Sequence, residues 1–142
     1  MFIGEFRHTL DDKGRLAIPA KFRVALKSDA VVTRGLDQTL CVYPKETWEK
    51  LANKIAALPM GQADTRAFAR LVLAGASEVE IDSSGRISIP EYLRQYAGIS
   101  KDVVIAGLYD RLEIWDAAMW DAYARSAEEQ SGPIAERLGL LI

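Results

Sequence analysis

Asp11-Asp12-Lys13-Gly14-Arg15-Leu16-Ala17-Ile18-Pro19 returns 71 residues later as Asp82-Ser83-Ser84-Gly85-Arg86-Ile87-Ser88-Ile89-Pro90. Asp, Gly, Arg, Ile and Pro recur in register, and further out Arg23 matches Arg94. After a one-residue insertion Val31-Val32-Thr33 meets Val103-Val104-Ile105, Gly35-Leu36 meets Gly107-Leu108, and Trp48 meets Trp120. The chain is a tandem duplication of a unit of about seventy residues. A half of that size buries too little surface to be comfortable alone. The halves are therefore expected to pack on each other or on neighbouring chains.

The first repeat reads as strand, turn, strand, short helix, strand, turn, strand, helix. Residues 2–10 alternate, with Phe6, His8 and Leu10 on one face and Glu5, Arg7, Thr9 and Asp11 on the other. Asp12-Lys13-Gly14 is a turn, because Asp favours turn starts and Gly supplies positive φ. Arg15–Ile18 is a short strand, and Pro19 opens a helix over 20–26. Strands at 31–34 and 40–43 flank the Gly35–Gln38 turn, and Trp48, Leu51, Ile55 and Leu58 recur at helical spacing within 45–58. A linker helix over 64–73 ends at Gly75. The second repeat follows with strands at 77–82, 86–89, 102–106 and 111–115 and helices at 91–97 and 117–127, the last broken by Ser131-Gly132-Pro133. The resulting division is a first repeat at 1–58, a linker helix at 59–74, a second repeat at 75–128 and an apolar tail at 129–142, a terminus expected to dock on its own chain or a partner.

Composition sets the class. A hydrophobic content of 49% with 27% charged residues describes a globular chain. No apolar run approaches the roughly 20 residues of a membrane span, and the start shows no secretion signal. The single Cys41 permits no intrachain disulfide, which fits a cytoplasmic protein. Net charge is −2, but it is unevenly spread. Residues 1–71 hold 12 basic and 8 acidic residues, a balance of +4, whereas residues 72–142 hold 6 and 12, a balance of −6. The two repeats therefore face different things.

The repeated loop carries the chemistry. Gly14 and Gly85 permit the reversal, and Asp11 and Asp82 accept from turn amides or pair with the following arginine. Arg15 and Arg86 carry the planar fork best matched to phosphate oxygens and guanine edges. Two compatible readings stand: an Asp–Arg pair that pins the hairpin, and an arginine held outward for a partner. Around the first loop lie Arg7, Lys13, Lys21 and Arg23; the second loop has Glu78, Ser84, Tyr92 and Arg94 in their places. A cationic surface on one repeat suits a polyphosphate partner. Glu78, Glu80 and Asp82 lack the fuller ligand set of a metal site and read instead as a solvated or interface face. Trp48 and Trp120, at equivalent places on apolar helix faces, read as core, His8 as a packed residue and Cys41 as a buried one. No catalytic set or phosphate-cradling loop is present, so no catalytic residue, metal, cofactor or small-molecule substrate is expected.

These residues carry a family resemblance over nearly the whole chain. The start Phe2–Leu10, the two Asp-x-x-x-Arg motifs (Asp11 to Arg15 and Asp82 to Arg86), Leu73-Ala74-Gly75-Ala76-Ser77-Glu78 and Leu112-Glu113-Ile114-Trp115-Asp116 resemble the MraZ family of bacterial transcriptional regulators. The repeats look like the SpoVT/AbrB class of swapped-hairpin domains. The resemblance implies an α+β fold of two tandem swapped-hairpin β-barrel repeats with flanking helices. It implies a sequence-specific DNA-binding regulator, usually a repressor, of its own division and cell wall gene cluster. Such proteins form homo-oligomeric rings, octamers or dodecamers, that bind repeated sites in double-stranded promoter DNA and associate with the nucleoid. The DNA contacts then fall on Arg15 and Lys13, with Arg7, Gly14 and Arg86, while Asp11, Asp82 and Gly85 build the motif. Ser84 in place of Lys13 marks the second loop as different and open to a role in the ring. The alternative reading is an antitoxin-like or scaffolding oligomer whose main partner is protein.

Overall fold

The structure, a computed structural model, describes residues 1–139. The elements run β1 (Phe2–Thr9), β2 (Arg15–Ala17), α1 (Ala20–Leu26), β3 (Asp29–Arg34), β4 (Leu40–Pro44), α2 (Lys45–Ala56), α3 (Ala63–Ala69), a π-helical turn (Arg70–Ala74), β5 (Ser77–Glu80), β6 (Arg86–Ser88), α4 (Glu91–Ala97), β7 (Asp102–Tyr109), β8 (Leu112–Asp116), α5 (Ala117–Glu129) and α6 (Ser131–Leu138). The class is α+β, and every strand pair is antiparallel.

The repeats are interleaved. One six-stranded sheet runs β1-β7-β8-β4-β3-β5, and β2 pairs with β6 in a separate ribbon. The first strand of each repeat pairs with the third strand of the other: β1 lies along β7, with Phe6 opposite Ile105, and β5 lies along β3, with Val79 opposite Ala30. Short β2 and β6 cross at their centres, Leu16 opposite Ile87.

Alternation along the strands gives the sheet two different faces. The inner face carries Val32, Leu40, Val42, Ile105, Leu112 and Ile114, and the ribbon and helices α1 and α4 close over it with Leu16, Ile18, Phe22, Ile87, Ile89 and Leu93. One hydrophobic cluster thus draws on both halves, as a seventy-residue unit requires. Phe22 anchors it, edge-on to Phe2 and Phe6 at 5.4 and 5.2 Å. The outer face holds smaller groups. Ile55, Ala69 and Val72 pack with half-buried Trp48 at one end. At the other end Trp115 meets Trp120 and Tyr123 of α5 at 5.4 and 5.0 Å. Trp48 and Trp120 therefore cover the outer face and stay half-buried, which falls short of the core placement their helical spacing suggested. His8 is also half-buried, on the inner-face side of β1.

Three local expectations change. The linker helix ends in a π turn, and Gly75 closes it with an ordinary right-handed backbone, φ −77°. Close approach is what excludes a side chain there, since a Cβ would stand 2.4 Å from the Leu71 carbonyl oxygen and 2.9 Å from the Arg34 guanidinium. The break after α5 falls at Gln130, and Ser131-Gly132-Pro133 starts α6 instead of ending a helix. Proline is tolerated there because first-turn N–H groups have no helical acceptor. Of the apolar tail, Leu140, Leu141 and Ile142 lie outside the described residues.

Candidate nucleic-acid interface

Each Asp-x-x-x-Arg turn is built by its aspartate. Asp11 Oδ1 accepts from the backbone N–H of Lys13 and of Arg15, both at 2.9 Å, while Oδ2 accepts from Arg15 Nε at 2.6 Å. The turn closes with the Gly14 N–H on the Asp11 carbonyl at 3.1 Å. Asp82 repeats the pattern with Ser84 and Arg86 N–H groups at 2.9 Å and Arg86 Nε at 3.2 Å. Gly14 and Gly85 share φ +77°, which places both in the left-handed region. Aspartate thus pins each hairpin, as one of the two sequence readings has it, and also fixes the arginine's Nε edge. About a third of the Arg15 and Arg86 side chains remains exposed, 32% and 33%. Their only side-chain hydrogen bonds among the described residues use Nε, which leaves the terminal nitrogens of both forks without a hydrogen bond there. Lys13 is exposed and joins no ion pair among the described residues.

The two loops are neighbours. Antiparallel β2–β6 pairing sets Ala17 opposite Arg86 and Arg15 opposite Ser88. The Ile18 N–H donates to the Gly85 carbonyl and the Ile89 N–H to the Gly14 carbonyl, each at 2.9 Å. Arg86 Nη1 also reaches Asp11 Oδ2 at 3.8 Å, so the first loop's carboxylate serves arginines from both repeats. Burial of β2 and β6 side chains fixes this crossing, and the crossing brings sequence positions 71 residues apart onto one surface.

A second pair of arginines braces the loops. Arg23 Nε donates to the Ile18 carbonyl at 2.9 Å, and Arg94 Nε to the Ile89 carbonyl at 3.0 Å. Each lies against the other repeat's glycine: a Cβ on Gly14 would stand 2.7 Å from Arg94 Nε, and one on Gly85 would stand 2.4 Å from Arg23 Cζ. Sequence reasoning placed Arg23 in the cationic patch and missed this bracing role. Its signal was the in-register recurrence of Arg23 and Arg94 beside a recurring glycine. Together the loops and braces set Lys13, Arg15, Arg23, Arg86 and Arg94 against Asp11, Asp12 and Asp82, a cationic excess of two.

The other candidate residues sit elsewhere. Arg7 projects from the outer face of β1 and pairs with Asp121 of α5 at 2.6 Å, tying the first strand to the last repeat's helix. Lys21 lies over the Phe6 and Phe22 rings at 5.1 and 5.4 Å. Tyr92, which replaces Lys21, donates to the Gly75 carbonyl at 2.9 Å. Glu78 and Glu80 are exposed on edge strand β5, flanking buried Val79. Among the described residues no His, Cys, Asp or Glu cluster could hold a metal, and no helix is long and apolar enough to cross a membrane.

Local hydrogen bonding shifts the loop carboxyls. The Arg15 backbone N–H, helped by the Arg15 side chain and the Lys13 N–H, holds Asp11 below its usual 3.8. The Arg86 and Ser84 N–H groups do the same for Asp82. Both stay ionised wherever the arginines need a partner. Cys41, buried on β4, is pushed up to about 11 by burial, so its thiol is unreactive near neutrality.

The chain matches a family model described as "MraZ protein, putative antitoxin-like" twice, over residues 1–71 and 72–141. A protein named "Transcriptional regulator MraZ" from Natranaerobius thermophilus is 52% identical over 138 residues, covering 97% of this chain and 96% of that one. The protein of the same name from Halothermothrix orenii is 49% identical across 99% of this chain and 100% of its own length. That from Moorella thermoacetica is 46% identical at 97% and 96% coverage.

Proposed function

We propose, on the premise that the chain belongs to the MraZ family, that it regulates transcription by gripping promoter DNA with the paired Asp-x-x-x-Arg loops. The relatives' shared name makes it a regulator of transcription and not an enzyme. The observation that carries the DNA reading is the ribbon crossing, which sets Arg15 and Arg86 around the Asp11 carboxylate with no hydrogen bond on their terminal nitrogens among the described residues. The exchange of first strands between the repeats supports treating each chain as one swapped-hairpin unit with the loops at its tip.

Aspartate fixes the Nε side of each guanidinium, so little side-chain entropy is lost when the remaining nitrogens meet a phosphate or a guanine edge. Lys13 adds an exposed charge from the first loop only. Arg7, engaged with Asp121, contributes to the field and not to contact. One loop pair makes few contacts and binds weakly. Assembly into a ring repeats the pair at fixed spacing, and successive subunits engage successive sites so that avidity supplies the affinity. The expected target is a set of repeats upstream of the protein's own gene in a division and cell wall cluster. The expected output is repression, in the nucleoid-bearing cytoplasm.

Arg15→Ala tests this in a mobility-shift assay beside gel filtration. The variant should lose the shift and keep its elution volume. Wild-type binding should also fall steeply with added salt. A variant that shifts promoter DNA normally overturns the site. An oligomer that captures no DNA at any salt favours the antitoxin-like or scaffolding alternative.

A further inference from the structure

Two surfaces outside the loops have no partner among the described residues. The first is a groove of about 620 Å³ on the outer face of the sheet, between β4 and the α2–α3 block. Tyr43, Leu51 and Phe68 form its apolar lining, and Leu36 stands at its mouth with 68% of its surface exposed. Lys50 and Lys54, one turn apart on α2, line its α2 side and join no ion pair among the described residues, while Asp37, Asp110 and Glu113 lie with Arg34 and Arg111 elsewhere on its wall. The second surface is α6. It buries none of its residues, yet Ile134 and Leu138 share one face at i,i+4 spacing, with Leu138 66% exposed. Glu128 and Glu129, at the end of α5, sit at its root and join no ion pair among the described residues. One surface is an apolar slot whose α2 side is cationic; the other is an apolar rod with an acidic root. The slot belongs mainly to the repeat of balance +4, and the rod to the half of balance −6.

We infer that α6 of one copy seats in the groove of the next, Ile134 and Leu138 on the apolar lining and Glu128 and Glu129 against Lys50 and Lys54. The contact is head-to-tail: each copy offers a groove at one place and a helix at another. Such contacts propagate until rotation closes them. The inference rests on the ring reading above and names the surfaces that would build it.

Light scattering on gel-filtered protein tests it with two variants whose changes lie outside the main core: Ile134→Asp/Leu138→Asp on the helix and Lys50→Glu/Lys54→Glu on the α2 side of the groove. Matching far-UV circular dichroism establishes that both fold, and Leu138→Gln is the milder stand-in should the double aspartate not. Wild type should be a multimer and each variant alone a monomer. Mixed at equal concentration, the two variants should form a dimer and nothing larger, because one has only an intact groove and the other only an intact helix. A wild-type multimer whose mass both variants keep overturns this contact and leaves the ring standing. A mixture that stays monomeric overturns the pairing of these two surfaces. A monomeric wild type overturns the ring reading itself.

Discussion

Replacing Gly14 with alanine should expose the coupling between the repeats. Gly14 sits at φ +77°, and its missing Cβ is 2.7 Å from Arg94 Nε and 2.8 Å from Cζ. A left-handed alanine costs about 1–2 kcal/mol on backbone grounds alone. The methyl group must also push the Arg94 guanidinium aside and break its 3.0 Å hydrogen bond to the Ile89 carbonyl. That loss adds roughly 0.5–1.5 kcal/mol. The sum, about 1.5–3.5 kcal/mol, corresponds to a fall in Tm of roughly 5–11 °C for a chain of this size. Calorimetry or a urea titration measures it. Gly61→Ala is the control, since a Cβ there meets nothing within 4 Å, and it should move stability by no more than about 0.5 kcal/mol. The decisive arm is Gly14→Ala combined with Arg94→Ala. The clash term vanishes in the double variant, so the two costs should fall short of additivity by about 1 kcal/mol. Strict additivity would refute the brace, and an unperturbed Gly14→Ala would refute the turn geometry as well.

Acid should weaken the molecule through its loops. Asp11 and Asp82 are held below 3.8 in the fold by turn N–H groups and their arginines. Their stabilisation is therefore complete above pH 3.8 and drains away as pH falls through the lowered native values. Asp11→Asn/Asp82→Asn should lower the urea midpoint at pH 7, and its deficit against wild type should shrink in acid; a pH-independent deficit would contradict the assignment. Cys41, buried and pushed up to about 11, should resist a thiol reagent at pH 8 in the folded protein and react rapidly in denaturant. Fast labelling of the native chain would contradict its burial.

The duplication itself, the turns at Gly14 and Gly85, and the order of strands and helices as far as α5 were legible in the sequence, whereas α6 was read as a tail. Those features depend on local chemistry: positive φ at glycine, preset φ at Pro19 and Pro90, and the alternation of Phe6, His8 and Leu10 along a strand. The candidate site was half legible. Arg15 and Lys13 were visible as an exposed cationic turn, and Asp11 as its organiser.

Tertiary structure alone decided which repeat each element serves. Nothing local says that β1 pairs with β7, or that Arg94 braces the turn at Gly14 while Arg23 braces the turn at Gly85. Strand exchange follows from burial: three-residue β2 and β6 cover an apolar sheet face only by crossing each other, and that crossing lies between residues 71 positions apart. Arg7 shows the same limit. Its alternation put it correctly on the exposed face of β1, but its partner Asp121 arrives from α5, 114 residues away, through packing that no window of sequence contains. Local pattern sets what each segment is; the shared core sets what it touches.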